Sequence, residues 1–199
     1  AVPRLAPGYD ATGFQAPQRL ELANLSVGFY GKIAVTPPQF AQDARGRFVG
    51  LCGTAIVDGQ IGEGAARQLL THEASMPPDW SALMGSFCVV SGDANAQRLY
   101  LDPLGVHKVY TDSRQRVFAS SFLALASTQE SLTANPQAVY EYVHQEAAYG
   151  RDTVVNEVLQ ADCRGCYEFG DEVAFRPWPN DWSASIDDEP MDEHLERCL

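Results

Sequence analysis

The sequence predicts an α+β domain, and three observations carry that prediction. Short runs rich in Val, Ile, Leu, Phe and Tyr recur at close intervals, separated by turn signals such as Asp58-Gly59, Gly92-Asp93, Asp112-Ser113 and Gly170-Asp171. Two stretches, Gln60 to His72 and Ala138 to Ala147, change to helical periodicity. With 199 residues, 45% of them hydrophobic and 20% charged, the chain has the length and composition of one packed soluble domain.

Residues 1–26, with Pro3, Pro7, Gly8, Gly13 and Pro17, read as an irregular lead-in. A first strand region follows at Val27, Phe29, Ile33 and Val35, closed by Pro37-Pro38. A second runs from Phe48 to Val57, with the small residues Gly50, Gly53 and Thr54 in its middle. Ile61, Ala65, Leu69 and His72 then give a helix stopped by Pro77-Pro78. Four strands, at Ser86 to Ser91, Arg98 to Asp102, Val106 to Thr111 and Val117 to Ser120, read as one antiparallel meander. Asn135-Pro136 marks the start of the second helix, with Val139, Tyr142, Val143 and Ala147 as its apolar stripe. A closing hairpin pairs Cys166 to Phe169 with Glu172 to Phe175. The domain is thus expected over 27–178, and 179–199 read as a linker and the start of a further helix, in which Met191, Leu195 and Leu199 recur every fourth residue.

The formal net charge of −12, with no local cluster of Lys and Arg, argues against nucleic acid as a partner. No apolar run approaches the ~18 residues of a membrane span, so no membrane association is expected. Five cysteines, odd in number and irregular in spacing, favour a reducing, cytoplasmic setting over a secreted disulfide framework.

The segments Leu83 to Val90 (LMGSFCVV), Leu99 to Tyr110 (LYLDPLGVHKVY) and Phe118 to Leu125 (FASSFLAL) follow one another in the order and spacing of three stretches of class II glutamine amidotransferases. There they look like L-x-G-x-F-A, R-D-x-L-G-x-K-P-L-Y-Y and F-A-S-E-x-K-A-L. Ala138 to Phe169 is similar to the tyrosine-rich helix and closing strand of asparagine synthetases. The resemblance covers residues 27–175. It implies the N-terminal nucleophile hydrolase architecture, a sandwich of two antiparallel β-sheets flanked by helices.

The same resemblance sets out what the chemistry requires. A class II glutaminase attacks the glutamine amide with an N-terminal cysteine whose α-amine is the base. Residue one here is Ala1, and no cysteine occurs before Cys52. Where the family has the arginine that holds the glutamine carboxylate, this chain has Lys32, which supplies charge without a bidentate fork. Where the family's Asn-Gly pair builds the oxyanion hole, this chain keeps Gly53 and has Cys52 in place of the Asn. Loss of one such donor costs roughly 10²–10³ in rate.

A non-catalytic, glutaminase-like domain is therefore expected, with no catalytic residue assigned and a vestigial glutamine cleft at Lys32, Cys52 and Gly53. Its expected role is to scaffold an ATP-dependent amide ligase resembling asparagine or β-lactam synthetase. That ligase would be a C-terminal domain or a separate chain, and ATP and Mg are expected there and not in this domain. Two rivals stand beside it: a working glutaminase whose cysteine lies outside these residues, and a stand-alone module binding a peptide or amino-acid-like small molecule. A homodimer is compatible with each.

Cys163 and Cys166 form a C-x-x-C, but no second ligand pair follows, so two separate thiols are expected and no metal. Asp102 and Gly105 are expected to be structural, the one ordering a turn and the other supplying a backbone shape that other residues resist. His107 reads as a solvated imidazole and Cys52 as a small buried apolar residue. A second reading of Cys52-Gly53-Thr54-Ala55, as a processed start resembling C-G-I-A, leaves too few residues for the sheet.

Overall fold

The computed structural model describes residues 18–22, 25–30, 39–72 and 78–179. Within these, eleven strands and three helices form an α+β arrangement of antiparallel sheets. Strands β1 (Gln18–Glu21) and β2 (Ser26–Phe29) form a hairpin. The part of the lead-in expected to be irregular thus contains a strand. Its composition, Gln-Arg-Leu-Glu, gives no apolar alternation to announce it. Ile33, Val35 and Lys32 lie outside the described residues, as do Met191, Leu195 and Leu199.

The main sheet has six strands in the order β11-β10-β6-β5-β4-β3. Strand β3 (Phe40–Gln42) turns into β4 (Phe48–Val57) through a loop fastened by Asp43, whose carboxylate accepts the Arg45 and Arg47 N–H groups. Strand β4 ends where Asp58 (φ 48°) and Gly59 (φ 75°) reverse the chain. Helix α1 (Glu63–His72) buries Ala65, Ala66, Leu69 and Leu70. Ile61, expected on the same stripe, is exposed because the helix starts two residues later.

Strand β5 (Leu83–Gly92) pairs with β4 along its whole length, and β6 (Gln97–Leu101) pairs with β5 after a turn held by Asp93. Strand β10 (Gly165–Phe169) joins the far side of β6 and hairpins to β11 (Val173–Pro177). One face of this sheet, with Val49, Leu51, Phe87, Val89 and Tyr100, packs under α1. The edge-to-face rings of Trp80, Tyr100 and Trp178 flank that cluster.

The meander does not continue past β6. After Leu101 the chain leaves the main sheet and enters a second, three-stranded sheet ordered β8-β7-β9. Its strands are β7 (Tyr110–Asp112), β8 (Phe118–Ala119) and β9 (Val158–Gln160). Four strands of one pattern are therefore split two and two, because Pro103, Leu104 and Gly105 interrupt the pairing. Phe118 of β8 packs on Tyr167 and Phe169 of β10, so the small sheet lies against the second face of the large one. Tyr167 is fully buried there, and its hydroxyl accepts the Asp162 N–H at 2.7 Å.

Helix α2 (Phe122–Ala126) starts at Ser121, whose hydroxyl accepts the Ala124 N–H. Helix α3 (Pro136–Gln145) is capped by Asn135, with Pro136 in its first turn as the sequence predicts. Its apolar stripe is not a core face: only Ala138 is buried, while Val139, Tyr142 and Val143 are exposed. Cys163 and Cys166 pack against different clusters on opposite faces of the sheet and so do not act as a pair. Cys166 is a buried core residue, not a surface thiol. No described helix is long and apolar enough to cross a membrane.

Candidate functional site

Four polar side chains from separate parts of the chain meet on the face of the main sheet that looks toward the small one. Cys52 on β4 and Cys88 on β5 are direct cross-strand partners and pack against the same cluster. Ser120 stands just past β8. His107 comes from the crossover that carries the chain between the two sheets.

Asp102 positions that crossover. Its carboxylate is buried and accepts the Val106 N–H at 2.9 Å and the His107 N–H at 2.8 Å. Its own carbonyl accepts the Gly105 N–H at 2.9 Å, and Gly105 sits at φ 60°, in the left-handed region. Asp102→Ala leaves two backbone N–H groups without their charged acceptor and is expected to lower stability by about 2–4 kcal/mol in urea denaturation. It should also slow the labelling of Cys52, because His107 is then no longer held in place.

Gly53, adjacent to Cys52 in β4, adopts φ 91° and makes room for the imidazole: a Cβ there would lie 2.8 Å from His107 Nδ1 and 2.3 Å from the Ser86 carbonyl oxygen. His107 is not the solvated imidazole that its exposed loop suggests. It is half-buried, and its Nε2 is fully covered with no hydrogen-bond partner among the described residues.

Cys52 likewise departs from expectation. Contact with the Cys88 thiol holds its pKa well below the ordinary thiol range; burial opposes this, and His107 and Ser120 add to the lowering. The same contact with Cys52, together with burial, pushes the Cys88 thiol up. Cys52 is thus the member of the pair that ionises first, a half-buried thiolate beside an imidazole and a hydroxyl. Sequence reasoning named Cys52 and Gly53 and weighed His107, but missed Cys88 and Ser120. The signal for Cys88 was the β4–β5 register, which the intervening helix conceals.

His107 also lines a cleft of about 230 Å³, together with Leu104, Lys108, Arg151, Asp162 and Arg164. Arg164 is committed to Asp162, whereas Arg151 donates from Nε to the Gln160 carbonyl at 2.7 Å and leaves its covered Nη2 without a partner among the described residues. No group of three or more His, Cys, Asp or Glu side chains that could hold a metal ion occurs among the described residues. Compared with known proteins, the chain matches no protein-family model and no curated protein.

Proposed function

We propose that this chain is a glutaminase-like domain of the class II amidotransferase kind, with the N-terminal nucleophile hydrolase architecture, that no longer hydrolyses glutamine and scaffolds an ATP-dependent amide ligase. The observation that carries this reading is the state of Cys52. The position that resembles the oxyanion-hole asparagine holds a thiol turned toward ionisation by Cys88, His107 and Ser120. A negative sulfur is an acceptor; it repels the oxyanion that an asparagine amide would stabilise. The three stretches that carry the resemblance also run through neighbouring elements, β5, the β6-to-β7 crossover and β8-α2.

The ligase would be a C-terminal domain or a separate chain in the same reducing, cytoplasmic setting, holding the ATP and Mg. The exposed row of Val139, Tyr142 and Val143 on α3 offers it an apolar docking face. Incubation with glutamine should release ammonia at the buffer rate. Turnover above buffer would overturn the reading.

A second reading, a module that binds an amino-acid-like or peptide ligand, draws on the cleft beside His107. There Lys108 and Arg151 line the cleft, two cations whose charge would attract a carboxylate. Calorimetric titration with glutamine and glutamate, repeated on Arg151→Ala, distinguishes it: saturable binding abolished by that change favours the module.

A further inference from the structure

We propose that Cys52 and Cys88 form a peroxide-sensitive oxidation site, Cys52 being the thiol attacked by the oxidant and Cys88 the one that resolves it into a disulfide. The geometry is that of the sheet itself. Leu51 donates its N–H away from β5, to the Gln39 carbonyl, and Phe87 accepts the Asp102 N–H on the β6 side. Polar groups alternate along a strand, so Cys52 and Cys88 direct theirs at each other as a hydrogen-bonded antiparallel pair. The Cα atoms of such a pair stand ~5.5 Å apart, inside the roughly 4.4–6.8 Å range that a disulfide spans, while the Cβ atoms, also ~5.5 Å apart, must close by about 1 Å or more as the bond forms. Both side chains lie on one face of the sheet.

The two thiols differ in the way the chemistry needs. Cys52 is half-buried beside His107 and Ser120, whereas Cys88 is buried with 8% of its surface exposed. A hydroperoxide is small enough to reach Cys52 without a binding cleft. The Cys52 thiolate attacks one peroxide oxygen; the O–O bond breaks, the sulfur is oxidised to a sulfenic acid, and the other oxygen leaves as alkoxide or hydroxide and takes a proton from water. Cys88 then attacks the Cys52 sulfur, its proton joins the departing hydroxyl as water, and the S–S bond forms. A dithiol reductant returns both residues to thiols by exchange. The remaining described cysteines lack this arrangement: Cys163 and Cys166 pack on opposite faces, and burial pushes both thiols up. The proposal does not depend on the glutaminase-like reading.

The test treats the 199-residue chain with hydrogen peroxide, blocks free thiols with an alkylating reagent, and maps peptides without reduction. The expected product has lost two hydrogens, carries a Cys52–Cys88 linkage, and reverts with dithiothreitol. In Cys88→Ser the sulfenic acid persists and is trapped on Cys52 by dimedone. His107→Asn should slow the oxidation of Cys52 by roughly tenfold near neutral pH, with less effect at alkaline pH. Cys52 and Cys88 recovered as free thiols, or oxidation confined to Cys163, Cys166 or Cys198, overturns the proposal. The wild-type map decides the matter even if a variant fails to fold.

Discussion

Gly53→Val is expected to remove a large part of the stability of the domain. Two separate costs fall on one atom. Valine at φ 91° is strained by about 1–3 kcal/mol, and its Cβ would stand 2.3 Å from the Ser86 carbonyl oxygen on the neighbouring strand. Since β4 and β5 pair over ten residues, that oxygen moves only if the centre of the main sheet moves with it. Overpacking there adds roughly 1–3 kcal/mol or more, against a total of ~5–15 kcal/mol for a domain. Gly46→Val is the control: at φ 80° it carries the conformational strain, but nothing lies within 4 Å of its Cβ. Thermal and urea melts should place Gly53→Val far below Gly46→Val. Equal losses would mean that β4 yields at Gly53 and that the imidazole seat beside Cys52 is soft.

The labelling of Cys52 by iodoacetamide is expected to be nearly level from about pH 9 to about pH 6, while that of Cys163 falls by roughly tenfold per unit. The difference follows from opposite shifts: hydrogen bonding from Cys88, His107 and Ser120 lowers the Cys52 pKa, and burial followed by the Asp162 charge raises that of Cys163. Toward the acid end the two rates should differ by at least ~10²-fold. The same shifts set the pH dependence of stability. Cys52 ionises more readily folded than unfolded, so its contribution is fully present above the unfolded thiol pKa and is lost as pH falls through the folded value. Cys88 has the opposite sign and costs stability once pH rises past the unfolded thiol pKa. The urea midpoint should therefore pass through a maximum near the ordinary thiol pKa. A Cys52 rate that tracks Cys163 across the range would end the thiolate assignment.

How much of this was legible follows from the range of the forces involved. Strand β4, the turn at Asp58-Gly59, the cap at Asn135-Pro136 and the closing hairpin were all readable, because each is written in adjacent residues. Strands β1, β3 and β9, of three or four residues each, were not: segments this short are fixed by the strand they pair with. The stripe on α3 was legible as apolar, but its exposure was not, since periodicity does not say whether a face meets its own domain. At the site, Asp102 and Gly105 could be read from turn chemistry. His107 could not, since its burial depends on Gly53, which is remote in sequence and distinguished only by lacking a side chain.

The order of strands in the main sheet has a consequence for synthesis on the ribosome. Strand β6 is interior only because β10 lies beside it, and the stretch from Asp102 to Arg164 must be made before β10 exists. At about 5–20 residues per second, the emerging β3–β6 sheet spends seconds with Leu99 and Tyr100 on an open edge. During that interval β10, the strand that pairs with the outer edge of β6 in the folded chain, is not yet there to take its backbone donors and acceptors. The arrival of a late hairpin thus decides whether this edge meets its own chain or another, and a pause in translation between β6 and β10 lengthens its exposure to self-association.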